Sequence, residues 1–120
     1  MIQQSRNVIA FIAARFVSGA NRSHIYSYDS GSHISISGDV SEKRINVFDY
    51  SVNKHTTGSG SRNKFSLFNY HTNNHINLKF DGDKFSGYDY DSGQHFSGNV
   101  RGSSVSLYDY ETSQHYNYSL

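Results

Sequence analysis

Beyond the first twenty residues, apolar and polar positions alternate along the chain, and the alternating stretches come in pairs. Stretches such as "INVFDY", "FSLFNY" and "VSLYDY" are each followed by another, as in "HINLKF", "HFSGNV" and "HYNYSL". All are short, rich in aromatic and β-branched residues, and bounded by turn-forming residues, which is typical of β-strands. Polar loops such as "GSGSR" and "DGD" separate the pairs. The pattern therefore predicts a series of β-hairpins.

An eight-residue unit recurs at the tight turn of each predicted hairpin. It reads aromatic, small polar, Tyr, any residue, Ser/Thr/Val, Gly/Asn/Ser, any residue, His, and it occurs at residues 26–33, 48–55, 68–75, 88–95 and 108–115. Repeats of this length indicate arrayed supersecondary units. The predicted fold class is therefore mainly β. Five hairpin repeats of about 20 residues form an antiparallel meander, as a single-layer sheet, a closed barrel or a hairpin solenoid.

The last position of each tight turn favours a left-handed backbone. These positions hold Gly31, Asn53, Asn73, Gly93 and Ser113. Such residues suit a three-residue loop closed by a left-handed residue. In the fourth unit this loop would be residues 91–93, with Tyr90 opposite Gln94 and Asp89 opposite His95. That register places a polar residue opposite each His on one face, and it leaves open which face is the core.

The N-terminal segment "MIQQSRNVIAFIAARFVSGA" has a different pattern. Val8, Ile9, Ile12 and Phe16 fall on one face of a helix, and Gly19 is a suitable helix stop. We expect an amphipathic helix that packs on the sheet or docks on a partner. The alternative is a secretory signal with "SGA" as its cleavage site. The predicted division is thus an N-terminal helix or signal segment at 1–20 and a five-repeat hairpin domain at 21–120, with no membrane span.

Composition and charge narrow the classes of function. The formal net charge is +1 with interspersed charges, which argues against nucleic-acid binding through a basic patch. The chain has no Cys, so disulfides and thiolate metal sites are excluded. Leu, Ile, Val and Phe are sparse, but ten Tyr and eight Phe can bury large areas. We therefore expect a folded, tyrosine-rich domain.

The five regularly placed His residues invite a metal or catalytic interpretation, which their spacing does not favour. Successive His residues lie about two strand spacings apart, on the order of 10 Å. That is too far for two of them to share one zinc ion. The polar–His pairs resemble part of a hydrolytic triad, but they recur along the whole array, whereas a catalytic site is one special place. No cofactor, no metal and no enzymatic activity are predicted.

The remaining feature is an array of aromatic and hydrogen-bonding side chains at fixed intervals. Flat aromatic faces beside polar groups suit sugars, and a repeated weak site gives avidity. The predicted function is a non-catalytic, multivalent binding module for a carbohydrate or cell-envelope polymer. The candidate ligand-binding residues are Tyr50, Tyr70, Tyr88, Tyr90, Tyr108, Tyr110, Asp89, His95, Asp109 and His115.

The alternative function is a structural or self-assembling β-repeat protein. The last stretch, "HYNYSL", ends without a charged or Pro guard, which would leave a strand edge open for pairing. Self-association would then use edge strands or the N-terminal helix. The sequence favours no compartment: cell-surface, secreted and cytoplasmic locations are all compatible with it.

The hairpin period and the aromatic-x-aromatic pattern before each turn resemble the hairpin repeats, about twenty residues long, of choline- and glucan-binding modules of bacterial cell surfaces. Those repeats are built on Trp, and this chain has none, so their ligand cages do not carry over. The strand–turn–strand repeats also resemble those of curli-type secreted amyloid subunits, without their regular Gln and Asn ladders. Both resemblances concern architecture alone.

Overall fold

The computed structural model describes residues 1–120 and consists of one helix and ten antiparallel strands. The elements are α1 (Gln3–Ser18), β1 (His24–Ser27), β2 (Ser32–Val40), β3 (Arg44–Asp49), β4 (Lys54–Ser61), β5 (Lys64–Asn69), β6 (Asn74–Asp81), β7 (Lys84–Asp89), β8 (Gln94–Arg101), β9 (Ser104–Asp109) and β10 (Gln114–Ser119). Each strand pairs with the next, and β10 pairs with β1. The predicted hairpin meander is confirmed, and of the three arrangements left open it adopts the closed barrel. The equivalence of the five hairpins as repeats stays a prediction.

The helix α1 lies inside the barrel. Residues 8–14, "VIAFIAA", are all 0% exposed, and they extend over nearly two turns. A helix that is apolar all round needs burial all round, which explains its position. The predicted N-terminal helix is therefore confirmed, and of the two roles expected for it, packing on the sheet is the one that the structure shows, from inside the barrel. At 16 residues, α1 also falls short of the length and apolarity that a bilayer-crossing helix needs.

The C-terminal end of α1 lies where the sequence predicts it. Gly19 stops the helix with a left-handed backbone (φ 72°), and its N–H donates to the Arg15 carbonyl at 3.0 Å. This confirms the predicted stop, since glycine adopts that conformation at little cost. Near the same end, the Phe16 ring stacks on Phe80 with centroids 4.1 Å apart and meets Phe65 edge-on at 5.5 Å. Aromatic side chains thus fill this end of the barrel.

Glycine at inward positions allows the strand backbone to lie close to buried phenylalanine rings. A Cβ at Gly87 would lie 2.5 Å from Cζ of Phe96 and 1.9 Å from the carbonyl oxygen of Asn77. A Cβ at Gly98 would lie 2.5 Å from Cζ of Phe85. No side chain fits at either place, because real Cβ contacts are longer. Glycine in a strand interior commonly marks such close approach.

The tight turns contain four residues, not the predicted three. In the fourth hairpin Asp89 pairs with Gln94, Tyr88 with His95 and Gly87 with Phe96. The turn closes with a hydrogen bond of 2.8 Å from the Gly93 N–H to the Asp89 carbonyl. The predicted pairing is therefore wrong by one residue, and a slip of one residue exchanges the two faces of the sheet.

The extra turn residue has a physical cause. The side chain of Asp89 accepts a hydrogen bond from the backbone N–H of Asp91 at 3.2 Å, which stabilises an Asx turn. The same arrangement recurs at Asp49, Asn69 and Asp109. The left-handed residue at the end of each turn is confirmed, with φ between 54° and 70° at all five positions.

The new register points five polar side chains into the barrel at the end where α1 begins. They are 0–1% exposed and are here called the polar ring: Ser27, Asp49, Asn69, Asp89 and Asp109. Asp49 Oδ2 accepts from Gln4 Nε2 at 3.1 Å, and Asn69 Nδ2 donates to Gln4 Oε1 at 2.8 Å. Arg6 pairs with Asp109 at 3.3 Å. The ring thereby fixes the rotation of α1 about its axis.

One further contact anchors the same part of the helix. The Tyr118 hydroxyl donates to Asn7 Oδ1 at 3.0 Å, and both side chains are buried. Burial raises the pKa of the Tyr118 phenol above its ordinary value, so the hydroxyl keeps its proton and remains a donor. Gln4, Ser5, Arg6 and Asn7 are thus hydrogen-bonded to the barrel wall.

Truncating the helix core should destabilise the whole barrel. Phe11 is 0% exposed inside the barrel. We expect Phe11→Ala to lower the free energy of unfolding by about 3–5 kcal/mol, measured by urea denaturation, because it leaves a cavity. Ile2→Ala is the matched control, since Ile2 is 42% exposed. Equal losses in the two variants would contradict the enclosed position of the helix.

Removing one buried charge should stabilise the protein. Oδ2 of Asp89 is buried without a hydrogen-bond partner, whereas Asn69 takes the corresponding place in the preceding hairpin. Asp89→Asn keeps the oxygen that accepts the Asp91 N–H, and we expect it to stabilise the protein by about 1 kcal/mol in thermal unfolding. Asp109→Asn, which loses the ion pair with Arg6, should destabilise it. Effects of the same sign would contradict this assignment.

Candidate binding surface

Each tight turn carries a cluster of three rings on the outside of the barrel. In the fourth hairpin the Tyr88 ring lies 4.9 Å from both Tyr90 and His95, with the planes nearly perpendicular. The other four clusters are Tyr26–Tyr28–His33, Phe48–Tyr50–His55, Phe68–Tyr70–His75 and Tyr108–Tyr110–His115. The tyrosine at the start of each turn is 48–62% exposed. Edge-to-face contacts of this kind hold the rings in fixed orientations.

Strand pairing builds these clusters. The aromatic residue and the His are direct partners across each hairpin, so both point outward. The tyrosine two residues after the aromatic one begins the turn, and its backbone N–H reaches the neighbouring hairpin, as from Tyr90 to the His75 carbonyl at 3.1 Å. The Tyr90 hydroxyl also accepts from Asn77 Nδ2 at 3.3 Å. The exposed tyrosines are therefore held in position while about half of their surface stays open to solvent.

Most of the residues expected at a binding site lie on this outer surface, although their role in binding stays a prediction. They are Tyr50, Tyr70, Tyr88, Tyr90, Tyr108, Tyr110, His95 and His115. Asp89 and Asp109 are the exceptions, because both belong to the polar ring and are 0% exposed. An external ligand cannot reach them, so including them with the surface residues was wrong.

The same correction separates the predicted Asp–His pairs. Asp89 faces the interior while His95 faces solvent, because the two residues are not cross-strand partners. Two of the histidines instead contact polar residues of the preceding strand in the same hairpin: His55 Nδ1 lies 3.2 Å from Asn46 Oδ1, and His115 Nδ1 lies 3.5 Å from Ser106 Oγ. No group of three or more His, Asp or Glu side chains lies close enough together to hold a metal ion.

Outward polar side chains form rows across the strands, and these rows end at the aromatic clusters. Each member of a row is the direct partner of the next. One row consists of Ser59, Ser66, Asn77, Tyr88 and His95. The neighbouring row consists of Ser61, Lys64, Lys79, Ser86, Ser97, Tyr108 and His115. Adjacent strands are about 4.8 Å apart, so the first row is about 19 Å long.

Grooves lie between these rows. The largest, here called groove 1, has a volume of 690 Å³ and runs between the two rows just described. Its floor consists of the inward-pointing residues Gly60, Phe65, Leu78 and Gly87. Parallel grooves of 540 Å³ and 590 Å³ flank it. Because residues at these positions point into the barrel, the floor of groove 1 is formed by strand backbone.

Sequence reasoning missed the groove walls. Ser66 lies between the inward residues Phe65 and Leu67, and Asn77 lies between Ile76 and Leu78. The alternation that predicted strands therefore also marked these polar residues as outward-facing. With the register wrong by one residue, however, they could not be aligned into rows.

Comparisons of the chain with protein-family models, curated proteins and solved structures gave no match.

Proposed function

We propose that this protein is a non-catalytic binding module whose outer grooves hold segments of a carbohydrate or cell-envelope polymer. The observation that supports this is the arrangement of the grooves. Three of them run side by side, walled by Ser, Thr and Asn side chains, and each includes a His of an aromatic cluster. A chain of sugars has both kinds of group that these grooves can bind, since its hydroxyls suit the polar walls and its C–H faces suit the aromatic clusters.

The groove walls match the hydrogen-bonding pattern of a sugar chain. A serine hydroxyl offers one donor and two acceptors, and an asparagine amide offers two donors and an acceptor. Ser59, Ser66 and Asn77 present these groups along groove 1 with solvent access. Sugar hydroxyls have the same mixed donor and acceptor character, so a polyhydroxylated chain can replace the water on these residues without leaving polar groups unpaired.

The aromatic cluster at the end of the groove adds an apolar surface. Tyr88 and His95 both line groove 1. The C–H face of a pyranose ring can lie against such a ring while its hydroxyls bond to the wall. Each contact of this type is weak, but several parallel grooves on one barrel act as linked sites, and linked sites raise the overall affinity for a polymer.

The closed sheet lowers the case for the alternative, a self-assembling protein. That interpretation relied on an open edge at the last strand. β10 instead pairs with β1, with Tyr26 opposite Ser119 and Ser27 opposite Tyr118. A barrel has no free row of backbone groups with which another chain could extend the sheet. The closed barrel thus favours ligand binding in the grooves over self-assembly through a strand edge.

Removing the aromatic end of groove 1 should weaken polymer binding. Affinity electrophoresis against a panel of soluble neutral and acidic polysaccharides would identify a ligand, and calorimetry would give its Kd. We expect Tyr88→Ala to raise that Kd roughly tenfold, because the variant loses a ring contact equivalent to about 1.4 kcal/mol.

Tyr26→Ala is the matched control for this test. Tyr26 has the same place in the first hairpin, with its own His33 partner, but it lines none of the three grooves. We expect its Kd to change less than about twofold. Equal effects of the two substitutions, or no binding to any polysaccharide in the panel, would contradict the proposal.

A further inference from the structure

We propose that groove 1 binds an anionic group of the polymer, a sulfate or carboxylate carried on a sugar. This inference rests on the proposed function and specifies its ligand class. Three cationic side chains line the groove, Arg62, Lys64 and Lys79, and all three are exposed. None of its fourteen lining residues is Asp or Glu. A chain with a net charge of only +1 has thus gathered uncompensated positive charge in one groove.

The two lysines are placed against each other. Lys64 and Lys79 are direct partners across β5 and β6, and both point outward. Like charges directly opposite each other destabilise a sheet. Neither lysine forms an ion pair, since all three ion pairs of the protein involve Met1 or Arg6. An anion seated between them would remove the repulsion and gain two charge-assisted contacts.

Asp81 is the acidic residue closest along the same strand face, and it has a different partner. Its direct partner across β6 and β7 is Lys84, and the two residues line the flanking groove of 590 Å³, which Lys79 also borders. The other direct neighbours of the lysine pair are Ser61 beside Lys64 and Ser86 beside Lys79. The positive charge of groove 1 is therefore available to a ligand.

Arg62 supplies an independent indication. It begins the two-residue turn between β4 and β5 with a left-handed backbone, φ 52°. The matching positions of the next two such turns hold Gly82 and Gly102, with φ of 62° and 59°. A side chain at such a backbone conformation carries a steric cost that glycine avoids. An arginine therefore stands at a position suited to glycine, and it lines the same groove as the lysine pair.

The opposite end of the groove has different chemistry. Tyr88 and His95 lie in the row with Asn77 and Ser66, toward the tight turns, whereas Arg62 lies at the turn on the other rim. A ligand that fits both ends carries a negative charge and an uncharged sugar face some distance apart. An acidic polysaccharide has this combination in each short segment, and a free anion does not.

Dextran sulfate and unmodified dextran separate the two contributions. Binding of the full-length protein to each polymer would be measured by calorimetry at several salt concentrations. We expect dextran sulfate to bind at least about tenfold more tightly at 0.15 M salt, with the difference shrinking as salt screens the charges. Lys64→Gln with Lys79→Gln should remove about tenfold of that affinity. Arg62→Gly should remove about threefold.

The control is Lys43→Gln with Lys54→Gln, which removes the same charge from exposed lysines outside groove 1. We expect it to change the affinity for dextran sulfate less than about twofold. Thermal unfolding gives a second readout. Both groove variants should melt at least about 1 °C higher than the unmodified protein, because they relieve like-charge repulsion or backbone strain.

The outcomes distinguish the two proposals. Equal losses in the groove and control variants would mean general charge attraction and would overturn this inference. So would weaker binding accompanied by a lower melting temperature, which would give the lysines a structural role. Equal binding of both polymers, with loss on Tyr88→Ala, would overturn the inference and leave the proposed function standing. Binding of neither polymer would count against both.

Discussion

The interior helix is the constraint on which the rest of the structure depends. About eight strands form a barrel that their own side chains can fill, and this barrel has ten. The apolar run at residues 8–14 supplies the missing volume, and it is buried completely. The same run has no exposed face, so the barrel buries the apolar helix and the helix fills the barrel interior. With the core inside, the outer faces of the strands are free to carry polar side chains.

The polar ring connects that core to the surface. Each of its four Asp and Asn members uses one oxygen to hold a tight turn, and three of the four also bond to α1. The first turn of α1 contains no acidic residue, so the ring supplies the negative charge that a helix N-terminus favours. Because faces alternate along a strand, turning Asp89 inward also turns Tyr88 outward. The aromatic and small polar positions that begin the sequence unit therefore lie on opposite faces of the barrel wall.

The sequence allowed the strands, the hairpin order and the left-handed turn positions to be predicted, because alternation and turn chemistry are local. It did not allow the faces to be assigned. Assigning the faces required knowing that Asp89 accepts a hydrogen bond within the turn and lengthens the loop by one residue. An error of one residue in the register exchanges the inner and outer faces of the strands. The tyrosines and histidines were found on their repetition alone. The groove walls, such as Ser66 and Lys79, depend on partners distant in sequence, so no local pattern could align them.

The alternation of inward and outward positions links core packing to the outer grooves. Gly87 has no side chain because the Phe96 ring and the Asn77 backbone occupy the space inside. Every inward position, Gly87 included, presents only its backbone on the outside and so forms part of the floor of groove 1. The depth of the groove is therefore set by the alternation along the strands, whereas its chemistry is set by the rows on either side. A groove shaped by alternation alone would form in any such barrel. The lysine pair and Arg62 have no packing reason to line it, and their placement is what points to a charged ligand.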